Sequence, residues 1–82
     1  MKYVYVLKEY INVVKGKEKF SYFSTIGIYS TLEKAKAAIV GGNFRVDVFE
    51  NTLVYTNSKG EIRFKINRHV LDHIIYEVYD ED

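Results

Sequence analysis

Cysteine, proline and tryptophan are all absent from this 82-residue chain. Without cysteine it can form no disulfide, no thiolate metal site and no cysteine nucleophile, which suits a reducing compartment. Without proline it lacks one of the residues that block pairing at sheet edges. No apolar run approaches the ~20 residues of a membrane span, and the apolar start lacks a small-residue cleavage site. We therefore expect a soluble, cytoplasmic protein.

The composition indicates an ordered chain. Hydrophobic residues make up 48% of it and aromatic residues 16%, with eight tyrosines and five phenylalanines, which excludes the class of disordered, highly charged chains. A length of 82 residues suffices for one domain only, so we expect residues 1–82 to form a single domain. The net charge of +1 does not indicate a nucleic-acid binder, although residues 1–76 hold 12 bases against seven acids.

The first third of the chain has the pattern of a β-hairpin. Residues 2–14 place apolar side chains on both faces of a strand, which predicts a strand inside a sheet. Residues 15–19 combine a glycine with flexible charged side chains, as expected at a hairpin tip. Residues 20–29 are rich in aromatic and β-branched side chains and predict the returning strand.

A helix is predicted over residues 31–40. Ser30 and Glu33 have the spacing of a capping box, in which each side chain accepts a hydrogen bond from the backbone amide of the other residue. Gly41 or Gly42 can take the left-handed conformation that ends a helix. A helix this short must lean on a sheet.

The second half of the chain shows further strand patterns. Residues 44–48 alternate between apolar and charged, Asn51–Thr52 interrupt the pattern before residues 53–55, and residues 62–66 alternate again. Residues 73–79 predict a last strand. The order ββαβββ predicts an α+β fold: a single antiparallel-rich sheet of about five strands, with one short helix packed on one face.

Three stretches carry a resemblance to known proteins: Val-Tyr-Val-Leu at residues 4–7, Ile-Gly-Ile-Tyr-Ser-Thr-Leu-Glu-Lys-Ala at residues 26–35, and Phe-Lys-Ile-Asn-Arg-His-Val-Leu-Asp at residues 64–72. Over about half its length the chain resembles a family of small uncharacterised bacterial and phage proteins, a domain of unknown function. The resemblance implies the same fold and brings no known activity, cofactor or site residue.

Metal binding has one candidate in the sequence. His69 and His73 are four residues apart, so on a helix they would share a face, with Asp72 between them. A third strong ligand is missing, because the chain has no cysteine and no third histidine. We therefore interpret both as ordinary surface histidines and expect no metal and no cofactor.

Catalytic motifs are not found in the sequence either. It has no nucleophile elbow, no phosphate-binding glycine loop and no dinucleotide fingerprint. General acid–base chemistry needs carboxylates that converge in a cleft, and the sequence does not indicate such placement. The chain is therefore expected not to be an enzyme. Its candidate acids are Glu33, Asp47, Glu50 and Asp72.

The leading hypothesis is a small phage or bacterial accessory protein that binds a host or bacterial protein, for instance to inhibit or modulate a defence or regulatory complex. Tyrosine-rich composition suits such interfaces. The alternative is a nucleic-acid-binding module, in which bases stack on aromatic side chains of a sheet face while basic side chains meet phosphates. The candidate binding residues are Tyr3, Tyr5, Tyr22, Tyr29, Arg45, Arg63 and Lys65.

Self-association is expected from the sheet edges. An open sheet has two edge strands whose unpaired backbone groups invite another chain. The acidic residues 80–82 could shield the last strand by charge repulsion, but the sequence shows no comparable guard for the other edge. A homodimer would satisfy those groups, so we expect one.

Overall fold

The structure, a computed structural model, describes residues 2–71. They form one five-stranded antiparallel sheet and one short helix, so the fold is mostly β with the element order ββαβββ. The sequence predicts the same order from different strands, because it counts residues 44–55 as one strand and residues 73–79 as the last. The predicted last strand at residues 73–79 lies outside the described residues. The elements are β1 Tyr3–Lys15, β2 Glu18–Tyr29, α1 Leu32–Ala37, β3 Arg45–Phe49, β4 Thr52–Thr56 and β5 Ile62–Val70.

The strands lie in the order β2-β1-β5-β4-β3. The stretch from residue 44 to residue 55, predicted as one interrupted strand, is instead a hairpin: Phe49 pairs with Thr52, and a two-residue turn joins β3 to β4. The interruption seen in the sequence at Asn51 is this turn. The sequence pattern shows the interruption but not the reversal of the chain, because the turn is only two residues long.

The helix begins one residue later than predicted. Thr31 has extended backbone angles, and its Oγ1 accepts a hydrogen bond from the Lys34 amide at 3.2 Å, so Thr31 is the N-cap. The Ser30 Oγ instead accepts from the Lys34 Nζ at 3.4 Å. The helix also ends early, because the amide of Ala38 bonds the carbonyl of Ala35 and tightens the last turn.

The glycines after the helix adopt the predicted conformation. Gly41 and Gly42 have φ values of 77° and 80°, in the left-handed region. They follow the helix by several residues, since α1 ends at Ala37 and its C-cap is Ala38. The glycines therefore turn the chain toward β3 and do not themselves terminate the helix.

The core lies between α1 and one face of the sheet, called here the helix face. Leu7, Ala35, Tyr55 and Ile66 are its buried residues. Phe44 closes one side of this core, with its ring edge-on to Tyr55 at 5.9 Å and, in a second contact, to Phe64 at 5.8 Å. The opposite surface of the sheet, which carries Lys8, Tyr10 and Lys65, is called the reverse face.

The hairpin of β1 and β2 extends beyond the rest of the sheet. β1 pairs with β5 only from Tyr3 to Glu9, whereas it pairs with β2 as far as Lys15. Residues 10–15 and 18–23 therefore form a two-stranded projection, called here the arm. Gly16 at φ 63° is the first residue of a two-residue turn, which matches a type II′ hairpin. The tip is thus narrower than the predicted 15–19.

Candidate functional site

The seven residues predicted to bind a partner do not form one surface. The four tyrosines share the helix face: Tyr5 lies directly opposite Tyr29, and pairing along β1 places Tyr3 and Tyr22 on the same side. The basic residues Arg45 and Lys65 lie on the reverse face, and Arg63 lies at an irregularity between β4 and β5. The structure therefore separates the aromatic set from the basic set.

A cleft opens on the helix face, beside the helix. α1 packs over β1 and β2, which leaves the side chains at the β3–β4 turn and the end of β5 partly uncovered. The cleft has a volume of about 170 Å³. Its main lining residues are Tyr5, Leu32, Phe49, Leu53, Ile66 and Arg68.

The rim of the cleft holds a guanidinium group in a fixed position. The Arg68 Nε and Nη2 donate to Asn51 Oδ1 at 3.2 and 2.8 Å, and the Arg68 Cζ lies 4.5 Å from the centre of the Tyr3 ring. A backbone hydrogen bond also joins these two residues, because the Arg68 amide donates to the Asn51 carbonyl at 2.8 Å. Three contacts thus orient the positive charge beside an apolar hollow.

Most of the cleft was missed by sequence reasoning. Tyr5 was among the predicted binding residues, but Arg68 and Phe49 were not. The available signal was the pair Asn51–Thr52, which interrupts a strand pattern and so marks the turn that brings Phe49 to the cleft. Phe49 is 60% exposed.

The candidate acids are dispersed in the structure. Glu50 lines the cleft, Asp47 is paired with Arg45 at 3.3 Å on the reverse face, and Glu33 lies in the first turn of α1. Asp72 lies outside the described residues. Of the three candidate acids that the structure describes, only Glu50 therefore borders the cleft.

The proposed metal-binding geometry involved a helix. His69 lies instead in β5, opposite Val4, and His73 and Asp72 lie outside the described residues. In residues 2–71 there is no group of three or more histidine, cysteine or carboxylate side chains placed to hold a metal ion.

The reverse face has its own aromatic cluster, where the arm leaves the sheet. The rings of Tyr10 and Phe23 lie 5.1 Å apart, and the Lys65 Nζ lies 4.8 Å from the centre of the Phe23 ring. Beside them is an open depression of about 440 Å³, also bordered by Glu61 and Ile62. This cluster brings Lys65, one of the predicted binding residues, to the rings of Phe23 and Tyr10.

No helix in the described part of the chain is long and apolar enough to cross a membrane. Comparison with known proteins gives no match: no family model, no curated protein and no solved structure is similar to this chain.

Proposed function

We propose that this protein acts without catalysis, by binding another protein through the cleft on the helix face. The observation that supports this proposal is the fixed guanidinium of Arg68 at the rim of an apolar hollow. Aromatic and arginine side chains dominate the energetics of protein interfaces, and they do so next to pockets that a partner's side chain can fill.

The geometry favours a partner with one apolar side chain close to a carboxylate. The apolar side chain would fill the hollow over Ile66 and Leu53, and the carboxylate would bind Arg68. Because Asn51 and Tyr3 already hold the guanidinium, little side-chain entropy is lost when the carboxylate binds. Charge-assisted hydrogen bonds of this kind are stronger than neutral ones.

Such binding suits an accessory role, in which a small protein covers a surface of a larger one. Inhibition or modulation of a host defence or regulatory complex is the form we propose, with a host or bacterial protein as the partner. The lining of the cleft is mainly apolar, with Arg68 and Glu50 as its charged groups, which fits recognition of another protein's surface.

The nucleic-acid alternative depends on the reverse face. Lys8 and Lys65 lie opposite each other near the rings of Tyr10 and Phe23. In this alternative the rings would stack on bases and the lysines would contact phosphates. The Lys65 ammonium already covers the Phe23 ring, however, and stacking requires that ring face to be open. Protein binding is therefore the better supported proposal.

Selection from a displayed peptide library tests the proposal. Wild-type protein should enrich peptides that carry an apolar residue near Asp or Glu. Val48→Glu should lose this binding, because Val48 lines the cleft and lies opposite Leu53 on the helix face, so the substitution adds a carboxylate there. The matched control is Val40→Glu, which adds the same charge at an apolar residue that is 86% exposed and does not line the cleft.

The outcomes separate the two functions. Peptide binding that is lost in Val48→Glu and kept in Val40→Glu supports the cleft. Equal binding by both variants would contradict it. A fluorescent single-stranded oligonucleotide should bind weakly at physiological salt; tight binding that Lys65→Glu abolishes would favour the nucleic-acid alternative instead.

A further inference from the structure

The two edges of the sheet are protected very differently. β3 is five residues long and carries Arg45 and Asp47, and short charged edge strands resist pairing with other chains. β2 is 12 residues long, and residues 20–28 include no charged residue and no proline. In the described part of the chain β2 pairs with β1 alone. The unguarded edge is therefore β2.

The arm also lacks support from the rest of the sheet. Beyond Glu9 the strand β1 has no β5 neighbour, so the arm is a two-stranded ribbon, which by itself is at best marginally stable in water. Its apolar side chains are nevertheless exposed: Phe20 by 51% and Tyr22 by 49%. Pairing with a further strand would add backbone hydrogen bonds and cover these rings.

We infer that the occupant of this edge is the β2 strand of a second copy, paired antiparallel about a two-fold axis at Tyr22. In that register Tyr22 lies opposite the same residue of the other copy. Phe20 lies opposite Ser24, and Phe23 lies opposite Ser21. Each phenylalanine thus meets a small side chain, and diagonal neighbours can stack. The order Phe-Ser-Tyr-Phe-Ser is complementary to its own reverse.

Neighbouring registers fit less well. An axis at Ser21 would set Phe20 against Tyr22, two large side chains in one position. An axis at Phe23 would set Phe20 against Ile26, again two large side chains in one position. An axis between two residues would pair side chains from opposite faces, which an antiparallel ladder does not allow.

Electrostatics also permits identical strands to meet here. With the axis at Tyr22, Lys19 lies opposite Thr25 and Glu18 opposite Ile26, so no like charges face each other. The axis is perpendicular to the sheet, and it therefore places the helix faces of both copies on the same side. A dimer would present two clefts together, and a partner with two binding sites would gain by simultaneous engagement.

Sedimentation equilibrium at tens of micromolar tests the dimer. The wild type should sediment at twice the monomer mass of 9.6 kDa, and Tyr22→Lys should sediment as a monomer because two lysines would meet on the axis. Val48→Lys is the matched control, since it adds the same charge to a 75% exposed residue of the other edge strand. It should remain dimeric. A monomeric wild type, or dissociation by Val48→Lys in place of Tyr22→Lys, would overturn the inference.

A cysteine scan locates the axis without relying on a destabilising variant. The chain has no cysteine, so each single-cysteine variant has one thiol per copy. Any disulfide that forms must therefore join the same residue of two copies. Residues on the axis approach their copy within disulfide reach, about 4.4–6.8 Å between Cα atoms, while positions two residues away do not. Tyr22→Cys should therefore crosslink on oxidation, and Phe20→Cys and Ser24→Cys should not. A maximum at either flanking position would contradict the proposed register.

The dimer and the cleft can fail separately. Tyr22→Lys should still select the same peptides as the wild type, with loss only of the advantage for bivalent partners. A monomeric wild type that still binds peptides would remove the dimer and leave the proposed function standing.

Discussion

Leu7 of β1 and Ile66 of β5 lie directly opposite each other, and they are the two largest fully buried side chains of the described residues. Their exposed fractions are 0% and 1%. Ala35 of α1 joins them in the core, so this one cross-strand pair links the N-terminal hairpin, the helix and the C-terminal half of the sheet. In a core this small, each of these side chains carries a large share of the stability.

Leu7→Ala should destabilise the protein by about 2–5 kcal/mol, since it removes buried methyl groups and leaves a cavity against Ile66. That is a large part of the roughly 5–15 kcal/mol typical of a domain. Urea denaturation followed by circular dichroism measures the loss. Val14→Ala, at an exposed position of the arm, is the control and should change stability by less than about 0.5 kcal/mol. Equal losses would mean that the core is elsewhere.

Thr31→Ala should lower the free energy of unfolding by about 1 kcal/mol, because it removes the acceptor of the Lys34 amide at the start of α1. Ser30→Ala is the matched comparison and should have a smaller effect, since its Oγ accepts only from an exposed ammonium group. Thermal melting of both variants decides between the two caps. A larger loss for Ser30→Ala would restore the capping box expected from the sequence.

The sequence predicts the strands well where side-chain periodicity alone decides the structure. Residues 62–66 alternate strictly and lie within β5, and the two-faced apolar run at residues 2–14 is indeed an inner strand, β1. Periodicity shows an interruption at Asn51–Thr52, but it does not show that the chain reverses there in a two-residue turn. Nor can it choose between two adjacent hydroxyl residues as caps, since the choice depends on the backbone angles, which are extended at Thr31.

The candidate site was less predictable, because it depends on register. Tyr5 and Arg68 become neighbours only when β1 and β5 pair with these two residues opposite each other, although they are far apart in sequence. The separation of Tyr5 from Lys65 follows from the same register, since adjacent positions along a strand point to opposite faces. Composition indicated a tyrosine-rich surface but could not assign its residues to faces.

The stability of the protein should depend on Tyr55 in alkaline solution. Burial raises the pKa of Tyr55 above the ordinary value of 10.0, so the folded state favours the neutral phenol. The resulting stabilisation is fully present below the unfolded pKa and is lost as the pH rises through the higher folded pKa. The free energy of unfolding should therefore fall more steeply above about pH 10 in the wild type than in Tyr55→Phe. Parallel urea titrations in that range measure the difference, and equal slopes would contradict the prediction.

Amide hydrogen exchange should divide β1 into two parts. Residues 3–9 all pair with β5, and residues 5–9 also pair with β2, whereas the arm consists of β1 and β2 alone. In the monomeric variant Tyr22→Lys, we expect the amides of the arm to exchange faster than those of residues 3–9, and fastest at the tip around Lys17, because local opening there breaks few contacts. In the wild type the inferred dimer should slow exchange between residues 19 and 25 and leave the tip unchanged.

The control variant Val48→Lys should behave like the wild type. Strong protection of the tip in every variant, or an arm as protected as residues 3–9 in the monomer, would show that the arm is stabilised by contacts other than pairing of β2 with a second copy.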